Sequence, residues 1–249
     1  LIPLGDKFPQ RKRVSLSQFF LWVEETMRYI RIVGFSVSIS IAAVMIFSSI
    51  CSAYLVASLD VKCLLPRSSL VVKGEVKKMR EGGITKIHNV NYRYITASFR
   101  VDRIIKGNNL VGKNIEIEFL KQTEGILMSP SETLAKGEYC IVFLTRKGDN
   151  FEFTDPDNSK IPALRGKVKV KLQRHDSEGI LAEELINNSF SEKREIATVS
   201  ITQLGNLGMQ EAIPYLRKLE NAKDPTVRKR SFDVRIKLGD SSCIREEKQ

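Results

Sequence analysis

Three patterns of hydrophobic and polar positions follow one another along the chain. The first is an uncharged run from Ile32 to Leu59, 28 residues without Asp, Glu, Lys, Arg or His. About 20 apolar residues in a helix span a bilayer, so this run is expected to meet a membrane or the export machinery. Its apolar heart is Ile39–Phe47, followed by Ser48, Ser49, Ile50, Cys51, Ser52 and Ala53. Read from Met27, with Arg28 and Arg31 ahead of the run and small residues at Cys51 and Ala53, it has the parts of a signal peptide cleaved after Ala53. Read as retained, it is a single-pass anchor, with Arg28 and Arg31 on the inner side and Ser15–Tyr29 as an amphipathic lead-in. A buried helix of a soluble protein is the third reading. Residues 1–26 are then an upstream extension or cytoplasmic segment, and residues 27–53 the signal peptide or transmembrane helix. Either of the first two readings makes the remainder extracytoplasmic: periplasmic or secreted, or tethered to the cytoplasmic membrane by one N-terminal helix.

The second pattern has a period of two. Leu70–Val76 is an apolar strand with Gly74 inside it, a bend or bulge. Glu81-Gly82-Gly83 reads as a turn. In Tyr92–Ile105, Ile95, Ala97, Phe99 and Val101 alternate with Tyr94, Thr96, Ser98, Arg100 and Asp102, which puts one face in a core. Ile115, Ile117 and Phe119 alternate with Glu116 and Glu118. Glu138–Thr145 is apolar on both faces, as a central strand would be, and Phe151–Phe153 is a short last strand. Five strands with turn signals between them predict a small antiparallel barrel or sandwich over residues 66–165.

The third pattern is helical and repeats at an offset of 31 residues, which lays Leu185 on Leu216, Ile196 on Val227, Ser200 on Ser231, Ile201 on Phe232 and Leu207-Gly208 on Leu238-Gly239. Two antiparallel helix pairs are expected, about 176–208 and 210–239. Asp224 should cap a helix opened by Pro225, and Gly208 and Gly239 should end helices in the left-handed conformation. The expected shared core is Leu185, Ile201, Leu204, Leu207, Leu216, Leu219, Phe232 and Leu238. Two units are marginal alone, so the helices are expected to pack on the barrel or to continue beyond the chain.

Two resemblances sharpen this outline. Cys63, Ser69–Val76 (SLVVKGEV), Phe99–Gly107 (FRVDRIIKG) and Lys136–Leu144 (KGEYCIVFL), in that order, resemble the OB-type barrel of netrin-like and tissue-inhibitor-of-metalloproteinase-like domains. The animal inhibitors chelate a protease zinc through a mature N-terminal Cys-x-Cys; here Cys63 stands alone, so that activity does not carry over. Gln210–Glu220 (QEAIPYLRKLE), Asp224–Arg228 (DPTVR) and Lys237–Asp240 (KLGD) are similar to a short bacterial HEAT-like repeat over residues 176–249. That resemblance includes bilin-lyase relatives but transfers no catalytic residue, and it implies inter-helix ion pairing for Arg228.

Charge follows the same division. The whole chain carries +11; residues 54–170 hold 20 basic and 13 acidic residues, and residues 171–249 hold 14 and 13. A basic barrel can attract anionic partners, although no stretch interleaves aromatics with Lys and Arg as a nucleic-acid platform does, and nucleic acid is not expected. Export permits a disulfide, and Cys63 with Cys140 is the pair that both lie in the barrel region. His88 and His175 read as solvated loop residues, Asp155-Pro156-Asp157 as an Asx turn rather than a calcium loop, and Glu183-Glu184 as a solvated helix face. No nucleophile elbow, phosphate loop or zinc motif is present. The expectation is a non-catalytic module with no cofactor or metal, which takes a protein partner through its helical repeats and touches membrane if the N-terminal helix is retained. The alternative is a binder of an anionic ligand (glycan, lipid headgroup or nucleic acid) through the basic barrel.

Overall fold

Strand β4 (Tyr139–Lys147) is buried from Cys140 to Leu144, and its two faces enter different cores. Cys140, Val142 and Leu144 join one apolar cluster, while Ile141 and Phe143 join another. The computed structural model of the protein describes residues 60–108, 110–123 and 133–243. The apolar run 32–59, and with it the signal or anchor, lies outside the described residues. Among the described residues, no helix is long and apolar enough to cross a membrane.

The chain opens with α1 (Val61–Arg67), capped by the Asp60 carboxylate, which accepts the Lys62 N–H at 2.9 Å. Then come β1 (Leu70–Ile87), β2 (Val90–Lys106), β3 (Asn114–Gln122), β4, β5 (Asn150–Phe153) and β6 (Lys160–Pro162). The strand order is β1-β2-β3-β5-β4-β6, and a β1–β4 pairing closes the first five into a ring. β3 and β5 run parallel, through Ile117 beside Phe151 and Glu118 beside Glu152. The ring is therefore mixed, where an antiparallel barrel was expected. The chain crosses from β3 to β4 before β5 returns, so the last strand meets β3 in the same direction.

The ring interior is filled by the inward positions of each strand: Val72 and Val76 from β1, Ala97 and Phe99 from β2, Ile117 and Phe119 from β3, Phe153 from β5. Gly74 is demanded here. A Cβ at this position would lie 1.9 Å from the Arg100 carbonyl oxygen and 2.7 Å from the Phe99 ring. The expected turn at Glu81–Gly83 is instead a bulge within β1, where the register slips between Glu81 and Ile84. The hairpin turns at His88-Asn89, both left-handed at φ 47° and 65°. A two-residue turn of that twist matches the strand ribbon, and Asn tolerates the conformation.

The second core lies between the ring and a helical layer. That layer holds α2 (Ser177–Ser189), α3 (Arg194–Leu207), α4 (Ile213–Arg217) between short 3-10 turns, and α5 (Pro225–Lys237). Val71, Ile141 and Phe143 of the ring and Ile161 of β6 meet Leu64 and Leu65 of α1 and Leu181, Leu185, Ile201 and Leu204 of the helices. Asp176 caps α2 by accepting the Gly179 N–H at 2.9 Å, Asp224 caps α5 with Pro225 next to it, and Gly208 ends α3 at φ 71°. Phe232 departs from the expected core: it is only partly buried, and Val234 and Arg235 take the inner positions of α5. Arg235, which the 31-residue register lays on Leu204, is 1 % exposed and bonds Asp240 at 2.8 Å. Asp240 also accepts from Arg217 at 2.6 Å, so these arginines tie the end of α5 to α4. Those two bonds hold the Asp240 carboxyl far below the usual carboxylate range, Arg217 most strongly. Among the described residues Arg228 makes no such pair. Its guanidinium donates to the carbonyls of Ala222 at 2.6 Å and Lys223 at 3.0 Å.

Candidate functional site: the open face of the barrel

The helices cover the ring along β1, β4 and β6. The end of β2, with Arg103 and Ile105, lies under α2, whereas the outer face of β3, β5 and the N-terminal half of β2 stays open. On it, cross-strand pairing sets Tyr94 beside Leu120, Tyr92 beside Gln122 and Thr96 beside Glu118. Directly paired residues of an antiparallel ladder share a face, so Tyr92, Tyr94 and Leu120 form one aromatic–aliphatic strip. The strip is the floor of a groove of about 570 Å³, closed on one side by Ile87 and on the other by Thr154, Pro156 and Asp157. Tyr94 is 49 % exposed.

Charge enters at one end of the groove. Glu118 and Glu152 stand side by side in the parallel β3–β5 pairing, where like charges repel. Each is engaged: the Asn150 amide donates to Glu118 at 2.7 Å, and Lys147 bonds Glu152 at 3.0 Å. The hydrogen bond to Glu152 raises the Lys147 pKa. The opposite wall is stiffened by the expected Asx turn, in which the Asp157 N–H donates to Asp155 at 2.9 Å. The Asp155 N–H in turn donates to the buried Ser159 hydroxyl at 2.7 Å. The result is a rigid trough with ring faces and apolar surface at one end and carboxylates at the other. Such a trough can bind a ligand.

A second polar cluster lies under the helices. Lys73, 1 % exposed, bonds Glu184 at 2.8 Å. Arg103 bonds Glu184 at 3.0 Å and Glu183 at 2.7 Å, and Glu183 also accepts the Leu172 N–H at 3.0 Å. This corrects the expectation of a solvated Glu183-Glu184 face. Two register slips in the β1–β2 ladder leave Asp102 and Ile105 as extra residues and set Arg103 directly opposite Lys73. Those two cations need the two carboxylates of α2. Beside them, Glu75 is lowered to about 2, chiefly by its hydrogen bond from Arg165. Burial, and then Asp102, push the Tyr139 phenol up. A cavity of about 290 Å³ adjoins this cluster, lined also by Asp102, Lys167 and Lys171. The cluster is a joint between ring and helices.

The expected Cys63–Cys140 disulfide is not formed. Cys63 sits on the exposed side of α1, where its thiol donates to Asp60 at 3.3 Å and has its pKa raised by that bond. Cys140 points into the ring interior, whereas α1 packs in the core on the other side of β4. His88 forms the β1–β2 turn and His175 is exposed ahead of α2. Among the described residues, no group of three or more His, Cys, Asp or Glu side chains could hold a metal. The groove residues were visible in the sequence only as the polar phase of an alternation. The one local signal for the joint was Lys73, a charge inside an apolar strand. No family model matches the chain, and the comparison with curated proteins finds no match.

Proposed function

We propose that the chain is an exported or membrane-anchored, non-catalytic binding module whose protein partner docks on the open face of the barrel. The observation that carries this is the division of surfaces. The helices pack apolar sides on the ring and keep a groove of about 600 Å³ beside Phe190, while the 570 Å³ barrel groove alone is floored by an aromatic strip with exposed Tyr94. The aromatic strip favours the barrel groove over the helical repeats, which the sequence suggested, as the partner surface. An OB-type reading of the ring is supported by its strand order, its β1–β4 closure and its parallel β3–β5 pair. A HEAT-like reading of the helices is supported by burial in both units of Leu185 and Leu216, Ile196 and Val227, Ser200 and Ser231, and Leu207 and Leu238. An anionic ligand is disfavoured in the groove by Glu118, Glu152 and Asp157 on its walls.

A photoreactive phenylalanine analogue at Tyr94, compared with one at the exposed Lys229 of α5, tests the assignment in the native cell. Protein adducts at 94 and none at 229 are expected. Adducts at 229 alone would return the partner surface to the helices. Loss of all adducts at 94, with binding to an anionic polymer that weakens steeply in salt, would favour the anionic-ligand reading.

A further inference from the structure

The β1–β2 ribbon runs on past the ring. Pairing of β1 with β4 ends at Glu75, and from Lys77 to Ile87 the described ladder partner of β1 is β2. Three of the six large hydrophobic side chains exposed among the described residues lie on this ribbon: Ile84 at 61 %, Ile87 at 39 % and Tyr94. Pairing places Ile84 beside Arg93 and Ile87 beside Val90, and these pairs fall on opposite faces of the ribbon. A partner that lies on one face would use only one of them. A surface entered end-on uses both.

Charge points the same way. From Gly82 to Ala97 there is no Asp or Glu, while Lys86, His88 and Arg93 fall within that span, Arg93 being ion-paired to Glu81 at its edge. Exposed Lys121 of β3 stands opposite Arg93. The end of the ribbon thus interleaves aliphatic and basic side chains, with Lys86 between Ile84 and Ile87 and Lys121 level with Ile84 across Arg93. Aliphatic side chains among lysines match the boundary between acyl chains and anionic headgroups. A nucleic acid would stack on ring faces; Tyr92 and Tyr94 line the groove, and the exposed large hydrophobics nearest the turn are Ile84 and Ile87. The uncharged run 32–59, read as a signal or an anchor, is expected to meet a membrane as well.

We infer that the β1–β2 hairpin tip is a membrane-docking element that inserts Ile84 and Ile87 into the headgroup boundary of an anionic phospholipid bilayer, steered by Lys86 and Lys121. This surface adjoins the proposed protein-binding groove and shares Ile87 with it, whereas Ile84 lies on the other face of the ribbon.

The test uses the full chain with Trp22→Phe, which removes its sole tryptophan, and Ile84→Trp as the reporter. The chain is mixed with vesicles of phosphatidylcholine alone or with phosphatidylglycerol added, both containing brominated lipid. Quenching and a blue shift of the reporter are expected in the anionic vesicles and not in the neutral ones. Lys86→Gln with Lys121→Gln should weaken that engagement roughly thirtyfold, and added salt should weaken it further. Equal quenching in both vesicles, indifference to the two lysine changes, or no quenching in either would overturn the proposal. So would a reporter that stays unquenched in anionic vesicles yet shifts on addition of a single-stranded oligonucleotide. Photo-crosslinking at Tyr94 reads the groove separately, so failure of one does not imply failure of the other.

Discussion

The two outer faces of the ring are built from the same alternation and meet opposite fates. On the covered face, the outward positions of β4 are Ile141 and Phe143, both fully buried under helices. On the open face, the outward positions of β3 are Glu118, Leu120 and Gln122, and all stay partly exposed. A strand apolar on both faces has two cores to fill; a strand apolar on one face has one. The contrast teaches that the helices are part of the barrel's stability rather than an appendage. It also explains why the one buried lysine of the ring sits on the covered side. Lys73 occupies a position where an apolar residue would be ordinary, and α2 answers it with Glu184.

The largest break in this contrast should come from that joint. Glu184→Ala leaves Lys73 buried without its main counter-charge and should destabilise by about 3–5 kcal/mol in urea unfolding. Lys73→Met with Glu184→Leu should recover most of that loss. If the single and double variants were equally unstable, ion pairing would not be what holds the helices here.

Next in size is the helical core. Leu216→Ala removes a fully buried side chain and should cost about 2–5 kcal/mol. Phe232→Ala, at a half-buried site in the same layer, should cost clearly less by the same measurement, reversing the order that residue size alone suggests.

Acid should act on the covered side as well. Glu75 has its folded pKa lowered to about 2, so its contribution is present above the ordinary carboxylate value and lost as pH falls toward 2. The depressed Asp240 acts in the same direction. Unfolding free energy should therefore drop from about pH 4 downward, and Glu75→Gln should flatten the upper part of that drop.

The smallest effect is expected on the open face. Tyr94→Ala should change stability by no more than about 0.5 kcal/mol, because little burial is lost at an exposed site. The same change should abolish partner capture at the groove. A large loss of stability with capture intact would mean that Tyr94 is a packing residue after all.

The sequence by itself determined the parts governed by short-range rules. Alternation located the buried phase of each strand, from Phe99 to Ile117. Asp176, Asp224, Pro225 and Gly208 marked helix ends, because capping and left-handed backbone depend on neighbours within a few residues. Tertiary structure alone decided the rest. The direction of β5 beside β3 depends on how the chain crosses the ring, which no local pattern encodes. The ribbon turn moved from two glycines to His88-Asn89 because the register of a long hairpin is set by both strands together. Glu183 and Glu184 read as solvated because acidic helix residues usually are; only the bulges that aim Lys73 and Arg103 at them make burial favourable. The groove and the ribbon tip emerged last, since an exposed position becomes a surface only when the covered positions around it are known.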